Sequence, residues 1–186
     1  HGTVVTRPWE VLDHSDTHVC MSITLDDGSH ALWPFAGTCE HIIQVTPNEV
    51  KCVLTIHALE PFPYQLGWHP CWRKPDSTNF AFSSMFEKDI NQIPTGRMVE
   101  PTSGPWDDCF TDVITEPTLH INNVAISLTS SAEYWVIYDE LEHSTCIEPQ
   151  TGPPNAFNLF TDDFFDVAQP QQEACAEFTI RLGTSA

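Results

Sequence analysis

Apolar side chains alternate with polar ones at every second position in several short segments of this chain. From Val19 to Leu25 the odd-numbered residues are apolar, and the same period returns in 176–182. A period of two puts alternate side chains on opposite faces of an extended strand. No long segment keeps the 3.6-residue period of an amphipathic helix. These patterns predict an all-β fold, an antiparallel sandwich or barrel with few and short helices.

Two turn signals join neighbouring strand-like segments into hairpins. Pro47-Asn48-Glu49 separates 43–45 from 50–56, and Asn122-Asn123 divides the apolar alternation of 119–128. Pro and Asn favour turns, and Asn tolerates the positive φ angles that tight hairpin turns require. We therefore expect one hairpin at each signal.

The length of the chain limits the number of domains that it can form, and its net charge limits the kinds of partner that it can bind. Its 186 residues can bury one hydrophobic core, so we expect a single domain over residues 1–186. The 26 Asp and Glu residues outnumber the 7 Lys and Arg residues, which gives a formal net charge of −19. Because nucleic acids and anionic membrane surfaces attract positive charge, we expect neither as a partner. A cytoplasmic location is expected, and the oligomeric state is left open.

The seven cysteines do not form the regular pairs of a disulfide scaffold. We therefore expect reduced, mostly buried thiols in a reducing compartment. Cys39 and His41 lie close in sequence, as do His69 and Cys71, but neither pair has the spacing of a zinc site. No metal and no other cofactor are expected.

Glu148 is the first candidate for chemistry. It follows the strand-like segment 144–147 and begins the proline-rich segment 148–158, which we expect to be a loop. Prolines fix the backbone, so a carboxylate at the edge of such a loop is held in one place. The alternative is an ordinary surface glutamate before a turn.

His69 is the second candidate, in a predicted loop over 67–75. Trp68 and Trp72 flank it, and tryptophan rings stack on the apolar faces of sugars. Histidine is the side chain that titrates near neutral pH. The alternative is a half-buried histidine in an aromatic core cluster.

Asp107 and Asp108 are adjacent, so in an extended segment they point to opposite faces. One of them can therefore face a pocket, but they cannot act as a carboxylate pair. The alternative is two solvated acids in a loop of a very acidic protein.

Together these segments resemble the aldose 1-epimerase (mutarotase) family, in its galactose-mutarotase-like branch. The most specific piece is 148–156, which is similar to the family's Glu-Pro-Gln-Thr-x-Pro-Pro-(Asp/Asn)-Ala segment. The other similar segments are Gly67-x-His69-Pro70-x-Trp72, Ile93-Pro94-Thr95-Gly96, Asp107-x-x-Phe110 and His1-Gly2 followed by Arg7-Pro8-Trp9. The resemblance implies an antiparallel β-supersandwich.

The resemblance also implies a reaction, the interconversion of the α and β anomers of a hexose by ring opening. It makes Glu148 the general base on the anomeric hydroxyl and His69 the general acid on the ring oxygen. Two such groups complete the proton transfers without a metal or cofactor. The residues that we expect to bind the sugar are His1, Asp107, Trp68, Trp72, Gln150 and Arg73.

Two departures from the family pattern leave other functions open. The family has strands before His-Gly, so we expect a chain that is N-terminally truncated relative to it, and Val5 stands where the close branch has arginine. The alternatives are a non-catalytic carbohydrate-binding β domain and a structural or interaction domain. A hexose-6-phosphate mutarotase is a further alternative, because Arg73, Lys74 and Arg97 lie near the site motifs.

Overall fold

The computed structural model describes residues 2–25, 33–159 and 162–184. In these residues nearly all regular structure is antiparallel β-sheet, as expected from the alternating pattern. The described strands are β1 (Glu10–Ser15), β2 (His18–Thr24), β3 (Gly37–Thr46), β4 (Glu49–Ala58), β5 (Phe62–Tyr64), β6 (Cys71–Arg73), β7 (Ser77–Lys88), β8 (Pro94–Val99), β9 (Asp107–Ile121), β10 (Val124–Ser130), β11 (Tyr134–Tyr138), β12 (Ser144–Gln150), β13 (Asp166–Ala168) and β14 (Glu173–Thr184). The described helices are two three-residue 3₁₀ turns, Ala156–Asn158 and Asp162–Phe164.

One large sheet carries most of the strands. Its order is β1-β2-β3-β4-β14-β10-β9-β11-β12-β6, with β7 paired to β9 and β8 paired to β7. A second, two-stranded sheet joins β13 to β5. Among the described residues no helix is long and apolar enough to cross a membrane.

Both predicted hairpins are confirmed. β3 and β4 pair around Pro47-Asn48, and their register runs from Thr46–Glu49 to Gly37–Ala58. β9 and β10 meet at Asn122-Asn123, where Asn122 has a φ of 55°. A positive φ is tolerated by asparagine better than by most residues, which explains why this sequence turns here.

Two predicted loops contain strands. The segment 67–75 includes the short strand β6, and Glu148 lies inside β12 rather than just after it. Pro149 does not end β12, because the Pro149 carbonyl still accepts a hydrogen bond, 3.1 Å long, from the Trp68 N–H. The strand therefore reaches Gln150, and Glu148 is held by sheet pairing instead of by a proline-rich loop.

A tightly buried core supports the half of the sheet that carries the candidate residues. Its fully buried members include Phe110, Leu119, Leu128, Trp135, Ile137 and Ile147. Ile147 precedes Glu148 in β12, so the two side chains point to opposite faces of the sheet. The core thus fixes the strand from one side and leaves Glu148 on the other.

Truncating this core should cost stability in proportion to burial. Leu128 has no exposed surface, and Leu128→Ala is expected to lower the free energy of unfolding by about 2–5 kcal/mol. Leu59 is 75% exposed, and Leu59→Ala is the matched control, with a change below about 0.5 kcal/mol. Urea unfolding followed by tryptophan fluorescence measures both. Equal losses in the two variants would contradict this assignment of the core.

Candidate functional site

Glu148 is a carboxyl group buried in a β-strand. Its side chain is 8% exposed, and the residue pairs with Val136 of β11. Burial, with the nearby negative charge of Asp107 as a second cause, raises the pKa of the Glu148 carboxyl to about 7. The group therefore changes between its acid and base forms near neutral pH, which suits proton transfer.

His69 lies beside this carboxyl group. Its Nε2 atom is 3.3 Å from Oε1 of Glu148, and the histidine side chain is 42% exposed. One partner of the pair is therefore buried, and the other is open to solvent. His69 is therefore not a histidine within an aromatic core cluster, which was the alternative interpretation. His41 has that position, because it contacts the rings of Trp9 and Trp68.

The segment that carries His69 packs closely against β12. Gly67 forms an isolated bridge with Gln150, and a Cβ at Gly67 would lie 2.9 Å from the Pro149 carbonyl oxygen. Only a residue without a side chain fits so close to another backbone. This approach is what brings His69 within reach of Glu148.

Strand register places further polar groups on the face of Glu148. Tyr138 of β11 pairs with Cys146 of β12 on one side and with Asp107 of β9 on the other. Cross-strand partners share a face, and Cys146 is two residues before Glu148. Asp107 therefore lies on the Glu148 face, as its effect on the pKa of Glu148 also indicates.

Asp107 and Asp108 have different surroundings. Both begin β9, so their side chains point to opposite faces, as the sequence predicts. Asp107 is exposed, whereas Asp108 is ion-paired to Lys88, with 3.0 Å between Nζ and Oδ1. The interpretation as two solvated acids is therefore wrong for Asp108.

The other residues expected to bind sugar are spread over several places. Gln150 and Arg73 are on the Glu148 face, because Gln150 is two residues after Glu148 and Arg73 is two residues after Cys71, the partner of Cys146. His1 lies outside the described residues.

The two tryptophans are packed against the hydrophobic core. Trp72 pairs with Thr145, whose side chain is on the core face of β12. Trp68 contacts the Phe178 ring and donates a hydrogen bond from Nε1 to His41 Nε2, 3.2 Å long. The structure thus does not bring Trp72 to the Glu148 face, and it leaves Trp68 half-buried against the core.

The cysteine prediction is wrong for one pair, because Cys71 and Cys146 form a disulfide. They are 75 residues apart in sequence, and only the pairing of β6 with β12 puts them opposite each other. The other five cysteines are free thiols, and of these Cys39, Cys52 and Cys109 are buried. The donor atoms of His69, Cys71 and Cys146 lie within 4.8 Å of one another, with both sulfur atoms committed to the disulfide.

Sequence reasoning missed Tyr138 and the disulfide at this site. Tyr138 carries no motif, and only strand register puts it between Asp107 and Cys146. The disulfide had a signal, since each cysteine is two residues from a candidate catalytic residue. If His69 and Glu148 meet at one site, this equal spacing predicts that the two cysteines also lie close together.

Solved structures show the same fold at low sequence identity. A galactose mutarotase-like protein from Clostridium acetobutylicum is similar with a TM-score of 0.80 at 16% identity, covering 95% of this chain and 67% of that one. A galactose 1-epimerase from Lactobacillus acidophilus gives 0.77 at 11% identity, covering 96% and 67%. A GalM/aldose epimerase homologue from C. elegans gives 0.72 at 18%, covering 97% and 70%. The predicted galactose-mutarotase-like β fold is thereby confirmed.

This chain spans about two thirds of the length of those proteins. The comparison with curated proteins found no match. The model of the family described as aldose 1-epimerase matches residues 1–182. On that match, the chain belongs to the aldose 1-epimerase family.

Proposed function

We propose that this protein is a mutarotase, which interconverts the α and β anomers of a hexose. The observation that carries the proposal is the contact of the buried Glu148 carboxyl group with the exposed His69 imidazole, 3.3 Å apart. Anomer exchange needs one group to remove a proton and another to supply one. A pair of this kind, with a carboxyl pKa of about 7, can do both near neutral pH.

In the proposed mechanism, ionised Glu148 takes the proton from the anomeric hydroxyl. His69, in its protonated form, gives a proton to the ring oxygen, and the bond between that oxygen and the anomeric carbon breaks. The open-chain aldehyde then rotates about the adjacent carbon–carbon bond and closes with the opposite configuration. Ring closure reverses both proton transfers, so the two side chains return to their starting states.

Polar groups on the Glu148 face would hold the sugar. The Asp107 carboxylate is an acceptor for sugar hydroxyl groups, and the Gln150 amide can donate or accept. Both lie on the same face as Glu148 through the register of β9, β11 and β12. We leave Trp72 out of the proposed sugar site, because it packs on the core face.

A phosphorylated hexose is the second candidate substrate. Arg97 is ion-paired to Glu87, and Lys74 donates to the Asp139 carbonyl oxygen over 2.6 Å. Arg73 is exposed and lies on the Glu148 face, and among the described residues no carboxylate neutralises it. Of the three cations noted in the sequence, Arg73 is therefore the one able to meet a phosphate group.

Saturation-transfer NMR of glucose, galactose and glucose 6-phosphate tests the proposal. We expect acceleration of anomer exchange for a free hexose, with little change in Arg73→Ala. If the phosphorylated sugar is preferred, Arg73→Ala should raise its KM about tenfold or more, and Arg97→Ala should not. Saturable sugar binding without acceleration would identify a carbohydrate-binding domain and contradict the proposal.

A further inference from the structure

The Cys71–Cys146 disulfide joins the two segments that carry the proposed acid and base. Cys71 is two residues after His69, and Cys146 is two residues before Glu148. The two cysteines face each other across β6 and β12, with their Cα atoms 4.3 Å apart. The bond is therefore a direct covalent link between the backbone of one catalytic segment and that of the other.

Besides the disulfide, β6 is held by its pairing with β12, by Trp72 packed against the core and by the Lys74 N–H, which donates to the His143 carbonyl oxygen over 2.8 Å. This strand has three residues and lies at the end of the large sheet, with β12 as its paired strand. The segment before it is fixed to β12 by the Gly67–Gln150 bridge and by the hydrogen bond from Trp68 N–H to Pro149. A short edge strand separates from a sheet more easily than an interior strand, because only one of its two sides is hydrogen-bonded to a neighbouring strand.

We propose that Cys71 and Cys146 are positioning residues whose disulfide holds His69 against Glu148, so that a dithiol reductant lowers the activity by opening it. The inference rests on the proposed function. A displacement of about 1 Å between reacting groups can reduce a rate by a hundredfold. Moderate loosening of β6 would therefore change turnover without unfolding the chain.

Burial favours Cys71 as the sulfur that a reductant attacks. Cys71 is exposed, whereas Cys146 is 2% exposed. A thiolate of the dithiol attacks Cys71 Sγ, the sulfur–sulfur bond breaks, and Cys146 leaves as a thiolate that takes up a proton. The second thiol of the reductant then attacks the reductant's own sulfur in the mixed disulfide and releases Cys71, which is also protonated. The protein gains two electrons and two protons, and the dithiol becomes a disulfide.

The test compares oxidised and reduced wild-type protein in the anomer-exchange assay. Titration in denaturant should find five thiols before reduction and seven after. A chelator is present throughout, because the donor atoms of His69, Cys71 and Cys146 lie within 4.8 Å and reduced thiols capture trace metals. We expect reduction to lower kcat about tenfold with KM changed less than about twofold, and reoxidation to restore kcat.

Variants separate positioning from stability. The double variant Cys71→Ala, Cys146→Ala should have the kcat of the reduced wild type. Neither the reductant nor reoxidation should change that kcat. Cys175→Ala removes an exposed thiol outside the disulfide and should respond like the wild type. Near-ultraviolet circular dichroism, recorded on the same samples, reports whether the tertiary fold is retained.

The outcomes distinguish this inference from the proposed function. An oxidised protein that is folded but inactive contradicts the mutarotase proposal itself. Equal kcat values for the oxidised and reduced forms contradict the positioning role while leaving the mutarotase proposal intact. Loss of the folded signal on reduction would assign the disulfide a stabilising role alone, and would overturn the inference.

Discussion

Glu148→Gln is expected to lower kcat for anomer exchange by about a thousandfold while the chain stays folded. Glutamine keeps the size of the side chain and can still accept a hydrogen bond, but it cannot take a proton from the anomeric hydroxyl. Since the substitution leaves Asp107 and Gln150 in place, sugar binding should change little. Glu142 is exposed, and Glu142→Gln is the matched control with wild-type activity.

The same group sets the pH dependence of the wild type. The pKa of Glu148 is raised to about 7, and the ionised form is the base. Activity should therefore rise with pH up to about 7, and kcat/KM should fall about tenfold for each unit of pH below about 6. A profile that stays flat from about pH 5 to pH 8 would contradict the assignment of Glu148 as the base.

The free energy of unfolding should fall as pH rises, whereas the activity should rise. Because the pKa of Glu148 is about 7 in the folded chain against 4.5 for an unperturbed glutamate, the folded state holds the proton more tightly. The free energy of unfolding therefore falls as pH rises between these two values, and the loss is complete above about pH 7. Glu148→Gln should be more stable than the wild type at pH 8, by about 1–3 kcal/mol.

This stability difference should disappear near pH 4, where the carboxyl is protonated in both states. Urea unfolding of the two proteins at pH 8 and pH 4 measures it. If Glu148→Gln were less stable than the wild type at pH 8, the carboxylate would be a stabilising structural group. A group that costs stability when ionised, and that activity requires, is what a functional rather than structural role predicts.

The strands and turns of this protein could be predicted because their causes are local. The alternation of 19–25 and the asparagines at 122–123 act within a few residues, and the structure has a strand and a turn there. Glu148 could be proposed because a specific motif contains it, and His69 because its less specific His-Pro segment accompanies that motif. The end of β12 was predicted too early because of the proline-rich segment. Pro149 stays in the strand, since its carbonyl still accepts a hydrogen bond.

The parts that could not be predicted depend on how distant strands pair. Nothing local shows that β6 lies beside β12, so the shared face of Arg73 and Glu148 could not be predicted. The disulfide had one local signal, the spacing of each cysteine from a candidate catalytic residue, and that signal does not show that the two strands pair. The same holds for Tyr138, whose place follows from the order β9-β11-β12. The presence of a tryptophan beside a motif also does not show whether its ring faces the site or the core. Trp72, which was expected to bind sugar, packs against the core.

His69→Ala is expected to lower kcat by about a hundredfold to a thousandfold, because it removes the group proposed to protonate the ring oxygen. His57 is exposed on β4, and His57→Ala is the matched control that should retain full activity. The measurement is the rate of anomer exchange at saturating sugar, so that the rate reports kcat and is not lowered by weaker sugar binding. Unchanged turnover in His69→Ala would remove His69 from the mechanism.

The different exposure of the two groups makes a sharper test possible. The His69 side chain is 42% exposed, so removing it leaves a space that opens to solvent and admits a small molecule. Free imidazole should therefore restore part of the activity of His69→Ala, in proportion to its concentration. Glu148 is 8% exposed, so formate should restore Glu148→Ala far less. Rescue by imidazole would indicate a role in proton transfer, because protonated imidazole can give the ring oxygen the proton that His69 is proposed to supply. Failure of imidazole to raise the rate of folded His69→Ala would contradict the general-acid assignment.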